Sequence, residues 1–384
     1  VSSTQQTGLV LTGGGARAAY QVGAIRALAK ILNQRENPFP ILSGTSAGAI
    51  NAAYLATHAS DWGAAAEGLS KLWSGLQLKD IYRTDGLSLS KIALPLMSKI
   101  LLGGKKVNPT KPSNFLLDTS PLRKLLEREV SFDSIRKNIA TGSLKGVSFS
   151  AVQYFTGKTI SFFDATTEIE GWVRSNRLGY RCELGVEHVL ASSAIPVFFP
   201  PVKIGTDYYG DGCLRQTTPL SPAIHLGADR IISIGIRHDR QKSEASPVEL
   251  STPRNAPSLA EISGELMNSL FLDSLEADVE RLQIMNDALE RMPQETRTQQ
   301  FGHFKKIPIL QLRPSRNLAE LVPNLLALFP VTLRYLLKGL GATPREGQEL
   351  ISYLAFLDVC LNPLMELGYN DTMNRRDDIV RFLG

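Results

Sequence analysis

Ile41-Leu42-Ser43-Gly44-Thr45-Ser46-Ala47-Gly48-Ala49-Ile50 is the stretch that decides how this chain folds: an apolar start, G-x-S-x-G, then helix formers as far as Thr57. Small residues on both sides of Ser46 let the backbone turn sharply from strand to helix and lift the serine clear of the sheet. A helix that begins there aims free N–H groups and the positive end of its dipole at whatever the serine attacks. The same residues also read as a glycine-rich turn in which Ser46 only caps the helix, because serine is a favoured N-cap.

Upstream the pattern occurs once more. Gly8–Thr12 reads as a short buried strand, Gly13–Gly15 as a turn, Ala16–Leu32 as a helix with one apolar face, and Asn33–Pro40 as a polar loop. Two adjacent strand–helix units predict a parallel sheet and an α/β class. Downstream, strands are expected at Gly146–Tyr154, Thr159–Asp164, Asp207–Tyr209, Arg230–Ile236 and Ile307–Leu312. Thr119-Ser120-Pro121 reads as a helix start continuing to Val130, and Ser258–Met292 as a long amphipathic helix or helix pair. From about Asn317 the chain is helical and leucine-rich, and residues 241–257, rich in Ser, Pro and charge, read as a linker or loop.

Gly13-Gly14-Gly15-Ala16-Arg17 follows one strand and opens one helix, so its amides point towards an anion, which in acyl transfer is the tetrahedral oxygen. Arg17 serves either the loop or that charge. Gly13, Gly15 and Ala18 also satisfy the dinucleotide pattern G-x-G-x-x-G/A with Glu36 as the ribose acid, but Glu36 lies in a polar loop and not at a strand end. Asp211-Gly212-Cys213 places an acid where the aromatic strand Asp207–Tyr209 turns, a position that active-site residues favour, although Asp-Gly is also an ordinary turn. A Ser-His-Asp triad in chain order Ser, acid, His would use His225, His238 or His303, and stays open on the residues alone.

Composition narrows the rest. The 384 residues are 43% hydrophobic and 21% charged, ordinary for a globular protein, and the net charge of +5 suits weak attraction to anionic surfaces more than a dedicated nucleic-acid binder. Cys182, Cys213 and Cys360 are far apart, which predicts neither a disulfide framework nor a zinc site. The apolar run Leu321–Leu340 is interrupted by Pro323, Asn324, Pro330, Arg334 and Lys338, so any membrane contact is expected to be peripheral. Leu87–Lys106 mixes Leu, Ile and Met with Lys91, Lys99, Lys105 and Lys106, the composition of an interfacial helix and equally of a core helix with a basic side. The polar start Val1–Thr7 shows no signal peptide; a cytoplasmic location, peripheral to the inner membrane face, is expected, with export left open.

In order along the chain, Gly13-Gly14-Gly15-Ala16-Arg17, Gly44-Thr45-Ser46-Ala47-Gly48, Ala191-Ser192-Ser193-Ala194-Ile195-Pro196 and Asp211-Gly212-Cys213 resemble the four blocks of the patatin-like phospholipases. The resemblance covers residues 8–240 and implies an open, mostly parallel sheet flanked by helices there; the mainly helical part 258–384 is expected, from its residues, to pack upon it. The resemblance also implies a lipid acyl hydrolase that uses a Ser-Asp dyad without histidine. Ser46 is then the nucleophile and Asp211 its base, with the oxyanion hole at Gly13–Arg17 and dyad-turn residues Gly212 and Cys213. The family often has Gly after the first basic residue and Gly or Ala after Asp-Gly, where this chain has Ala18 and Cys213. A phospholipid or other acyl-ester lipid is the implied substrate, and the chemistry requires neither metal nor organic cofactor. A neutral-lipid or thioester hydrolase, or a lipid-binding regulator with a vestigial site, are the alternatives.

Overall fold

The strands β1 (Thr7–Leu11) and β2 (Ile41–Thr45) are buried along their whole length, as apolar strands covered on both faces must be. In the computed structural model, which describes residues 5–85, 115–238, 256–293, 305–322, 324–343 and 347–384, each strand feeds a helix. A 3₁₀ turn at Gly15–Ala18 leads from β1 into α1 (Ala19–Leu32), and β2 leads directly into α2 (Ala47–Thr57). The expected helix Ala16–Leu32 therefore divides, because Gly15 sits at φ 53° and tightens the first turn. α2 begins at Ala47, two residues before its expected start, since Ser46 itself occupies the N-cap.

The chain continues through α3 (Trp62–Ser74), β3 (Gly146–Gln153), β4 (Thr159–Ala165) and a hairpin of β5 (Trp172–Arg174) and β6 (Arg177–Arg181). It then forms α4 (Val186–Ser192), β7 (Val202–Ile204), β8 (Asp207–Asp211) and β9 (Arg230–Ile234). Last come α5 (Leu259–Arg291), β10 (Ile309–Leu312), α6 (Gln348–Leu354) and α7 (Asp358–Met373). Among the described residues ten strands form one sheet in the order β10-β9-β1-β2-β3-β4-β6-β5, with β8 on β3 and β7 on β8. The neighbours from β10 to β3 and the β4–β6 pair are parallel; the β3–β4, β3–β8, β5–β6 and β7–β8 pairs are antiparallel, so the sheet is mixed and mostly parallel.

Successive residues of a strand point to opposite faces, and here they enter two different cores. Leu9, Leu11 and Leu42 face the layer of α1, α2 and α3, whereas Val10 and Ile41 face Leu275, Val279 and Leu282 of α5. α5 is one helix and not a pair, opened by a capping box in which Glu261 N–H donates to Ser258 Oγ (3.2 Å) and Ser258 N–H donates to Glu261 Oε2 (2.8 Å). α7 lies so close along α1 that a Cβ on Gly23 would stand 1.8 Å from Met365 O. The strands absent from the sequence reading, β5, β6 and β7, are short and half-exposed, with Arg174, Arg177, Arg181 and Lys203 breaking any apolar alternation.

Leu87–Lys106 and residues 241–255 of the expected linker lie outside the described residues. Among the described residues no single helix is long and apolar enough to cross a membrane.

Candidate active site

The register of β3 brings Ser46 and Asp211 together. β2 pairs with β3 as far as Thr45 opposite Ser150; one residue later β8 begins, with Asp211 opposite Ala151. β4 occupies the other edge of β3 through Val152, so β8 takes over the edge that β2 vacates. A serine immediately after β2 and an acid at the end of β8 thus leave neighbouring rungs of one strand edge.

Ser46 holds φ 55° and ψ −130°, a combination rare for any residue with a side chain and worth about 1–3 kcal/mol of strain. Its surroundings enforce the turn. Ala49 N–H donates to Ser46 O at 2.9 Å, and Ser46 N–H donates to Ser192 Oγ at 3.0 Å. Ser192 Oγ in turn donates to Ser150 O at 2.6 Å, tying α4, β3 and the elbow to one hydroxyl. A Cβ at Gly48 would stand 2.2 Å from Leu11 O, so α2 reaches its place against β1 only with glycine there. The Thr45 hydroxyl donates to Gln216 Oε1 at 3.0 Å and joins the elbow to the turn after Asp211.

Asp211 and Ser46 are each 1% exposed. Asp211 N–H donates to Ala194 O at 2.9 Å, and its Oδ1 accepts from Cys213 N–H at 2.9 Å. Oδ2 has no standard hydrogen bond among the described residues, which leaves one buried carboxyl oxygen available for a proton. Burial pushes the carboxyl up to about 6, opposed by the nearby Ser46 hydroxyl and by the Cys213 amide and thiol. The Cys213 thiol lies against Gly13, filling the space a side chain there would need, and burial raises its own pKa well above the usual thiol value.

Arg17 turns away from this pair. It is 2% exposed; its Nε and Nη2 donate to Ser352 Oγ at 2.8 and 2.6 Å, and Nη2 donates to Glu349 O at 3.2 Å. The guanidinium also forms an ion pair with the Glu349 carboxylate and lies 4.0 Å from the centre of the Tyr353 ring. Of the two roles open to Arg17, the geometry is that of a loop clamp. Beneath the loop Gln21 Nε2 donates to Thr12 O (2.7 Å) and Ile234 O (3.2 Å), and Asn51 Nδ2 donates to Gln21 Oε1 (3.1 Å). Among the described residues no group of His, Cys, Asp and Glu is arranged to hold a metal ion.

The described histidines lie elsewhere. His225 stacks on Trp172 at 4.5 Å, with burial lowering its pKa to about 4, and His238 Nδ1 stands 3.3 Å from Pro314 O. His58 packs on Tyr54, and His188 Nδ1 accepts from Gly185 N–H at 2.9 Å. His303 lies outside the described residues. The sequence block Ala191–Pro196 carried no assigned role, yet its Ser192 and Ala194 are the groups that bind the backbones of both Ser46 and Asp211. Gln21, Asn51, Gln216, Glu349, Ser352 and Tyr353 escaped sequence reasoning, since none belongs to a motif.

The sequence model described as Patatin, patatin-like phospholipase, matches residues 9–224, more than half of the chain. The curated protein sequences give no match. Human GIVD cytosolic phospholipase A2 in complex with methyl gamma-linolenyl fluorophosphonate is similar at 13% identity and a TM-score of 0.45, over 99% of this chain and 58% of that one. A chain of the complex of SpcU with ExoU from the type III secretion system of Pseudomonas aeruginosa is similar at 17% identity and a TM-score of 0.26, over 77% of this chain and 57% of that one. The chain thus spans less than two thirds of the length of either structure.

Proposed function

The chain belongs to the patatin-like phospholipase family, and we propose that it is a lipid acyl hydrolase of phospholipase A or lysophospholipase type, working through Ser46 and Asp211. The observation that carries this reading is the register of β3, which sets a strained, buried serine beside a buried acid whose second oxygen has no hydrogen bond of standard geometry.

A serine hydroxyl becomes nucleophilic when a base takes its proton, and a carboxylate raised to about 6 is ionised at neutral pH yet more basic than an ordinary aspartate. Asp211 takes the proton as Ser46 Oγ attacks the acyl carbonyl. The oxyanion is held by amides of the Gly13–Ala16 loop and the start of α2. Collapse expels the alcohol, which leaves with the proton from Asp211, and an acyl ester remains on Ser46. Water then gives a proton to Asp211 and attacks that ester; the fatty acid departs as Ser46 recovers its hydrogen. At 1% exposure for both residues the site must open for a substrate to reach them.

The test is a fluorophosphonate probe with peptide mapping, alongside phosphatidylcholine, lysophosphatidylcholine, diacylglycerol and an acyl thioester as substrates. Modification of Ser46 alone and fatty-acid release from a phospholipid are expected. Labelling at another serine, or hydrolysis confined to the thioester or the neutral lipid, overturns the assignment.

A further inference from the structure

We infer that the hairpin tips above the catalytic end of the sheet form a docking surface for an anionic phospholipid bilayer, a reading that rests on the proposed lipid hydrolase. β3 runs past the level of Asp211 at Ala151 and turns at Tyr154–Lys158, so this tip stands roughly 10 Å beyond the dyad at ~3.3 Å per residue. β6 runs parallel to β4, with Arg177 opposite Thr159, so the β5–β6 tip lies at the same end; Thr159 N–H donating to Asn176 O at 3.0 Å joins the two. β8 continues along β3 with Tyr154 N–H donating to Tyr208 O at 3.0 Å, which brings the β7–β8 tip alongside.

These tips present apolar side chains to solvent. Phe155 is 90% exposed at the β3–β4 turn and Val173 is 70% exposed in β5, with Tyr154 and Tyr208 also exposed. The tips are basic as well: Lys158 and Arg174 are exposed at two of the turns, and Lys203 stands with Asp207 on the third, while Arg177 is half-buried, donates to the Thr218 hydroxyl and faces Asp278. Among the described residues Lys158, Arg174 and Lys203 form no ion pair. Arg215 reinforces the cluster by donating from Nη1 to Gly157 O at 3.1 Å. The Tyr154 hydroxyl rests on Gly210, one residue before Asp211, so the tip abuts the strand that carries the base.

Three narrow tips, each with one or two apolar side chains among cations, suit a bilayer surface. A protein partner needs a flatter patch of about 800 Å² per side with charge depleted from its centre. Aromatic rings settle at the headgroup level, and neighbouring Lys and Arg are attracted by anionic lipid. Docking by this end turns the strand ends that carry Ser46 and Asp211 towards the bilayer.

The experiment measures binding to vesicles of equal parts phosphatidylglycerol and phosphatidylcholine, and to vesicles of phosphatidylcholine alone. Hydrolysis of p-nitrophenyl butyrate in solution and fluorophosphonate labelling are followed in parallel. The parent should bind the anionic vesicles better and lose that preference as salt shortens the Debye length. Phe155→Asp should weaken binding tenfold or more, the scale of losing one buried aromatic ring. The paired change Lys158→Glu with Arg174→Glu should weaken it at least tenfold on anionic vesicles only. Both variants should keep solution turnover and labelling within twofold. In Phe155→Trp, emission should shift to the blue on adding anionic vesicles. Equal binding by parent and variants, no preference for anionic vesicles, an unshifted emission in Phe155→Trp, or a Phe155→Asp effect on self-association in place of vesicle binding overturns the docking surface. A parent that docks through the tips but hydrolyses no ester upholds the surface and overturns the hydrolase reading, so the two failures are distinct.

Discussion

The elbow at Ser46 and the loop at Gly13–Arg17 are both glycine-rich turns leaving the carboxyl ends of adjacent parallel strands, yet they are held from different parts of the chain. The elbow is closed by its own Ala49 N–H on Ser46 O and braced by the catalytic body around it, with Gly48 seated against Leu11, the Ser192 hydroxyl on Ser46 N–H and Gln216 on Thr45. The loop is held from far along the chain, because Arg17 reaches Glu349 and Ser352 at separations of 332 and 335 positions. Glu349 and Ser352 also lie beyond residue 224, where the family match ends. The lesson is that the Ser46 elbow is held by elements inside the family-matched region, whereas the Gly13–Arg17 loop depends on a C-terminal helix that no motif announces.

Substitutions at the two sites should separate them. The largest effect is expected at the proposed dyad: Asp211→Asn should lower turnover of a soluble ester by roughly 10²–10⁴-fold, the range of general-base catalysis, and Ser46→Ala should lower it at least as far. His225→Ala, His238→Ala and His303→Ala should retain most of it. A folded histidine variant as inactive as Ser46→Ala would replace the dyad with a triad.

Arg17→Met should follow as a stability effect. Removing one partner of a buried charge pair costs about 3–5 kcal/mol, less here because the Glu349 side chain is 32% exposed. Thermal unfolding reads this directly, and an unchanged Tm would dissolve the contrast between loop and elbow. Ser192→Ala should lower kcat about tenfold with KM within twofold and a modest drop in Tm, since it leaves Ser46 N–H and Ser150 O without their partner, and Ser192→Thr should restore turnover through its hydroxyl. Glu349→Gln should also lower Tm, because it strips the counter-charge from the buried Arg17 guanidinium, a loss softened because Arg17 keeps Ser352, the Glu349 carbonyl and the Tyr353 ring.

Much of this fold was legible because its determinants are local. Gly44, Ser46 and Gly48 announce a strand–turn–helix within five residues, and the buried runs at Thr7–Leu11 and Ile41–Thr45 announce central parallel strands. The edge strands β5, β6 and β7 were not legible, because half-exposed hairpins carry no apolar alternation. The pairing of β8 with β3 was equally hidden, since register between strands separated by over fifty residues is decided by packing and not by either segment. Ser192 lay inside a quoted block, but its acceptance of the Ser46 N–H is visible only in three dimensions.

The claim that Asp211 is the base of Ser46 has one direct measurement: the pH dependence of the rate at which a fluorophosphonate modifies Ser46. Burial raises the Asp211 carboxyl to about 6, so the ionised, basic form is present above that pH and lost below it. The labelling rate should rise with pH through a single ionisation near 6 and level off above it. In Asp211→Asn the rate should be low and flat across that range. A rise that persists unchanged in Asp211→Asn, or that disappears in a histidine variant, would contradict the account.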